Sequence, residues 1–90
     1  DQPDLDFEFR LFPNPASEQI TVDLNLEQGA EISVSIYGLD GKVLNSENLG
    51  YLNDGLQSIA VPVGHLDNGM YVFELKAGNK QFRKSIFISK

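Results

Sequence analysis

The sequence predicts an all-β protein, an antiparallel sandwich of about seven short strands. Three observations carry that expectation. Apolar and polar residues alternate along most segments, breaks rich in Gly, Asn, Asp and Pro recur at near-regular spacing, and no stretch sustains the period of a helix.

Taken in order, Asp1 to Asp4 is polar, acidic and interrupted by Pro3, and reads as linker. Leu5, Phe7, Phe9 and Leu11 then alternate with Asp6, Glu8 and Arg10, the pattern of a first strand. Residues 1–10 are therefore assigned to a linker with a candidate first strand, and residues 11–90 to the domain. Phe12-Pro-Asn-Pro-Ala16 stops the strand, because each proline lacks an amide donor and pushes the residue before it away from helical angles. Ile20, Val22, Leu24 and Leu26 alternate with Thr21, Asp23 and Asn25 in a one-sided strand, and Glu27-Gln-Gly29 turns it. Ile32, Val34 and Ile36 point inward next. Asp40-Gly41 stands where a tight hairpin needs positive φ.

Lys42 to Leu49 alternates weakly, as an edge strand does. Gly50 to Gly55 reads as a loop. Leu56, Ile59, Val61 and Val63 surround Pro62, which assigns that strand to an edge or a bulge. After the corner Gly64 to Gly69, Tyr71, Phe73, Leu75 and Ala77 share an inward face, with Glu74 and Lys76 outward. Ala77-Gly-Asn-Lys80 turns the chain, and Phe82, Ile86 and Ile88 return inward opposite Arg83 and Ser85. Such a terminal hairpin is marginal alone in water, so it must complete a sheet built by the residues before it.

Ninety residues make one domain, with no cysteine and a formal net charge of -6. The missing thiols remove disulfides, thiolate nucleophiles and zinc-thiolate sites together. The acidic balance argues against nucleic acid, which would need clustered Lys and Arg. No apolar run approaches the roughly 20 residues that span a bilayer, and no signal peptide is visible. Because the chain opens on Asp1-Gln-Pro, it reads as a piece of something longer.

Catalysis finds little support. His65 is the single histidine, with no cysteine to activate and no Gly-x-Ser-x-Gly elbow to serve. Asp4, Asp6 and Glu8 would share an outward face, where a solvated acidic edge explains them better than an acid/base pair. Asp54, Asp67 and Asn68 offer hard oxygen ligands in loops without calcium-loop spacing, and Asx residues in turns bond their own backbone. No metal, cofactor or small-molecule substrate is expected. Lys80, Arg83, Lys84 and Lys90 reverse the acidic character of the chain locally. Alternation puts Lys84 on the inward face, either as a lysine snorkelling at the sheet rim or as a charge shown to a receptor.

Leu11-Phe-Pro-Asn-Pro-Ala16, Ile20-Thr-Val22, Ile32 to Tyr37, Leu39-Asp-Gly-Lys-Val43, Leu66-Asp-Asn-Gly-Met-Tyr-Val72 and Lys84 recur in an order and spacing with a known counterpart. The set resembles the C-terminal sorting domain, type A, of the Bacteroidetes type IX secretion system, over nearly the whole chain from Leu11 to Lys90. The resemblance implies an immunoglobulin-like sandwich that acts as a non-catalytic secretion signal on an N-terminal parent protein. It also implies the outer-membrane translocon with its shuttle protein and a sortase-like surface protease that removes the domain as partners, and a parent that ends secreted or at the cell surface.

The family's proline corner maps to Pro13, Asn14 and Pro15, its hairpin glycine to Gly41, its late Gly-x-Tyr to Gly69 and Tyr71, and its tail lysine to Lys84. Pro13, Asn14, Pro15, Lys84 and Lys90 are the candidates for translocon recognition. Gly41, Gly69 and Tyr71 are candidates for fold determination, since glycine permits the turns and Tyr71 combines burial with a hydroxyl that seeks a partner. Two departures stand out: Gly38 occupies a position often Asp or Asn in the family, which is expected to loosen the hairpin, and a second tail lysine comes only at Lys90. The alternatives are an accessory carbohydrate-binding or adhesive module, which would need an exposed aromatic platform, and a structural spacer indifferent to substitution of Lys84 or Pro13.

Overall fold

A computed structural model describes residues 7–13 and 17–90, with side chains of the first strand described from Phe9 onward. Seven strands follow in chain order: β1 (Phe7–Phe12), β2 (Gln19–Leu26), β3 (Ala30–Tyr37), β4 (Val43–Leu52), β5 (Gly55–Pro62), β6 (Gly69–Ala77) and β7 (Lys80–Ile88). They form two antiparallel sheets, one ordered β1-β2-β5 and the other β4-β3-β6-β7. Among the described residues the secondary structure is strand alone, and the predicted sandwich is the observed fold.

The alternation read from the sequence decides which faces meet. Ile20, Val22, Leu24 and Leu26 of β2 oppose Ile32, Val34 and Ile36 of β3 and Phe73 and Leu75 of β6, all buried. Phe73 is fully enclosed, and burying such a side chain contributes about 1.5–3 kcal/mol. The terminal hairpin completes the larger sheet as expected, β6 pairing with β3 on one side and β7 on the other, and Ile86 and Ile88 close the core.

Two local expectations change. The predicted loop Gly50 to Gly55 shrinks to Asn53 and Asp54, because β4 runs on through Gly50, Tyr51 and Leu52. Gly50 has φ 77 beside a register shift at Ile32/Ser33, so its glycine marks a bulge within an edge strand rather than a loop. The β3–β4 hairpin is not loosened by Gly38. Gly38 N donates to Lys42 O at 2.8 Å, Gly41 N to Gly38 O at 3.0 Å, and Lys42 N to Asp40 Oδ1 at 3.0 Å. A Cβ at Gly38 would stand 2.9 Å from Asp40 Oδ1, so glycine is what lets the Asp40 side chain fold over the turn.

Strand direction gives the sandwich two distinct poles, separated by the length of a strand, about 25–30 Å. At one pole lie the β1–β2 corner, the β3–β4 hairpin, the β5–β6 corner and the end of β7. At the other, β1 begins opposite Leu26, next to the β2–β3, β4–β5 and β6–β7 turns.

Candidate functional site

The first pole gathers most of the sequence-predicted site residues. Pro13 follows β1 there and is exposed; Asn14 and Pro15 lie outside the described residues. The chain resumes at Ser17, and Glu18 O accepts the Val63 amide at 2.9 Å, tying the β1–β2 corner to the β5–β6 corner. Gly41 sits in the hairpin with φ 88, and Gly69 opens β6 with φ 150. The Tyr71 hydroxyl donates to Asp67 O at 2.6 Å, so the ring packs at the core while its oxygen braces the corner. Lys90 closes the set. Its amide donates to Asn68 Oδ1 at 3.1 Å and its ammonium to Gly64 O, beside an open recess of about 600 Å³ lined by Ser17, Glu18, Pro62, Gly64, His65 and Lys90.

Lys84 is elsewhere. It stands midway along β7, paired with Phe73, and its ammonium lies 5.3 Å from the centre of the Phe9 ring on β1. Phe9 in turn meets Phe82 at 6.0 Å, so Lys84 sits over the seam where the outer strands of the two sheets approach. The structure thus brings Pro13, Gly41, Gly69, Tyr71 and Lys90 to one pole and leaves Lys84 on the flank.

A polar cluster that alternation did not reveal occupies the outer face of the larger sheet. Glu74 points outward from β6, yet its side chain is only 2% exposed. Tyr37 on β3 donates its hydroxyl to Oε1 at 2.9 Å, while Gln81 Nε2 and Arg83 Nε on β7 donate to Oε2 at 2.6 Å and 3.0 Å. Arg83 also lies over the Tyr37 ring, 5.8 Å from its centre. Burial works to raise the Glu74 carboxyl, but the hydrogen bonds from Tyr37 and Arg83 and the charges of Arg83 and Lys76 outweigh it and hold the group below its ordinary value. The Tyr37 phenol is pushed up, first by its bond to Glu74, then by burial and by the carboxylate's charge. The cluster pins three strands, including the last, across one carboxylate. Its signal in the sequence is faint: a carboxylate at the centre of a core strand, with Arg83 nine residues on.

No group of metal-binding side chains occurs among the described residues. Asn68 Oδ1 accepts the Lys90 amide, and the main-chain oxygen of Asp67 accepts the Tyr71 hydroxyl. The secretion system C-terminal sorting domain family matches residues 10–89, nearly the whole chain. The chain belongs to this family. No curated protein matches it. As a type IX sorting domain it serves as a C-terminal signal on a parent protein that is secreted or reaches the cell surface, and it interacts with the type IX machinery. β1 begins at the pole opposite the one that holds Pro13, Gly41, Gly69 and Lys90.

Proposed function

We propose that the folded domain is read at the pole distal to its parent by the outer-membrane translocon and its shuttle protein, and that a sortase-like surface protease then cuts the parent free ahead of β1. The supporting observation is the separation of the two poles: the Pro13 corner and Lys90 stand a strand's length from the start of β1, so a receptor engages them without meeting the parent. Asn14 and Pro15, outside the described residues, stay candidates on the family's proline-corner motif alone. Lys84, held over Phe9 at the seam, has a second, separate part in recognition. Cutting ahead of Phe7 leaves the β1–β2 pairing intact, whereas a cut inside Phe7–Phe12 would require that pairing to open first.

The test combines two readouts on a parent secreted by a type IX host. Amino-terminal sequencing of the detached domain is expected to start ahead of Phe7; a start within Phe7–Phe12 contradicts the cleavage reading. Lys90→Ala is expected to lower secretion with the melting temperature unchanged, and normal secretion of that variant contradicts pole recognition. The ligand-binding alternative has less behind it, since among the described residues the exposed aromatic rings Phe12, Tyr51 and Phe87 stand on β1, β4 and β7, no two of which pair.

A further inference from the structure

An edge strand offers its unpaired main-chain groups to any other strand, and the edges of this sandwich are not equally protected. The edge of β4 is broken by register shifts at Ile32/Ser33 and Ile36/Tyr37, and β5 ends on Pro62, whose carbonyl accepts Asn45 Nδ2 at 3.4 Å. β7 has neither device. Lys80–Ile88 runs nine residues without proline, glycine or register shift, and among the described residues it pairs with β6 alone. Ala77 and Lys80 flank the two-residue turn Gly78-Asn79, with φ 64 at Gly78, so they form a hydrogen-bonded pair. Such pairs recur at every second residue, which bonds Phe82, Lys84, Ile86 and Ile88 to β6. Gln81, Arg83 and Ser85 therefore turn their main-chain amides and carbonyls away from β6.

The residues bonded to β6 are also the inward-facing ones. Ile86 and Ile88 are buried and Phe82 packs against the core, but Lys84 interrupts the row between Phe82 and Ile86, opposite the fully buried Phe73. An apolar side chain would suit that position; the lysine carries its ammonium out to the Phe9 ring, 5.3 Å from its centre. A second copy adding its own β7 antiparallel along the whole edge sets Lys80 opposite Ile88, Phe82 opposite Ile86 and Arg83 opposite Ser85, about a two-fold axis. Lys84 is the middle residue of the strand, so it falls on that axis and meets the second copy's Lys84. The two form a pair without main-chain hydrogen bonds, in which Cα atoms approach to about 4.5 Å and side chains stand closest. Like charges directly opposite each other destabilise such a ladder.

We propose that Lys84 guards the free edge of β7 against the addition of a second copy of this chain. A charge pointing inward from the middle of an edge strand forces two ammonium groups together in the full-length self-pairing, while the edge itself stays open. The role belongs to the domain alone and holds whether or not a receptor also uses Lys84, so secretion does not enter its test.

The test is the mass in solution of the purified chain, residues 1–90, by light scattering. Wild type and Lys84→Glu are each expected at the mass of one chain, 10.0 kDa. An equimolar mixture of the two is expected to shift toward twice that mass, because a carboxylate then meets an ammonium across the junction. Lys84→Val is expected to shift by itself. Adding Ser85→Pro to it should restore the single-chain mass, since proline there removes an amide that points off the sheet and none that is bonded to β6. Melting curves check folding: where Lys84→Val does not fold, the mixture carries the test, and where Lys84→Glu does not fold, Lys84→Val carries it. A folded Lys84→Val at the single-chain mass, or a folded mixture without a shift, overturns the proposal. So does a wild type that already pairs, or a Lys84→Val dimer indifferent to Ser85→Pro, which would place the contact on another strand.

Discussion

Glu74→Gln tests the polar cluster that fixes the last strand, because it keeps the shape of the side chain and removes only the charge. Tyr37 can still donate to the remaining carbonyl oxygen at Oε1. The new amide nitrogen, however, meets the donors of Gln81 and Arg83, which both pointed at Oε2. Hydrogen bonds to a buried charged group contribute about 1.5–3 kcal/mol each. Arg83 is 60% exposed and recovers water, so the expected net loss is about 1.5 kcal/mol in all. For a domain of this size that lowers the melting temperature by roughly 6–12 °C. The pH dependence has a definite sign. A carboxyl held below its ordinary value of 4.5 stabilises the fold above that value, and the contribution is lost as pH falls through the folded-state value. Thermal melts followed by circular dichroism at neutral pH, and again well below 4.5, should therefore show a gap between wild type and variant that closes on acidification. A gap absent at neutral pH, or unchanged in acid, would refute the assignment of the cluster's strength to the Glu74 charge.

Three further outcomes follow from single contacts. Gly41→Ala should cost about 1 kcal/mol in urea unfolding, since φ is 88 and nothing lies within 4 Å of the added Cβ; a neutral result would mean the turn relaxes freely. Lys84→Ala should cost less than about 1 kcal/mol, the worth of an exposed ammonium over a ring, and a larger loss would make it a structural residue first. Removing Ser89 and Lys90 should leave the melting temperature near wild type while lowering secretion. Removing Ile86 to Lys90 deletes two buried isoleucines and costs about 3–6 kcal/mol, so loss of secretion there would report unfolding instead; equal melting of the two truncations would contradict this division.

Alternation made the core strands legible because it encodes which face a residue takes. It does not encode depth. Glu74 was rightly placed outward, but its burial depends on Tyr37, brought by β3 from 37 residues away, and on Gln81 across the hairpin. Lys84 was placed inward by the same parity, and the strand's position at a sheet edge lets its ammonium leave the core over Phe9. Gly50 to Gly55 misled because Gly and Asn serve a bulge as readily as a loop. The gathering of Pro13, Gly41, Gly69 and Lys90 at one pole could not be read from any local pattern, since it follows from strand direction across both sheets.

Carriage through the outer membrane is the property on which everything else depends. An inert periplasmic reporter with residues 1–90 at its carboxyl end, expressed in a type IX host and in the same host without the translocon, measures it directly. The reporter should appear in the medium or on the surface of the first and stay in the periplasm of the second. Retention in both, or release from both, would show that this sandwich does not direct export.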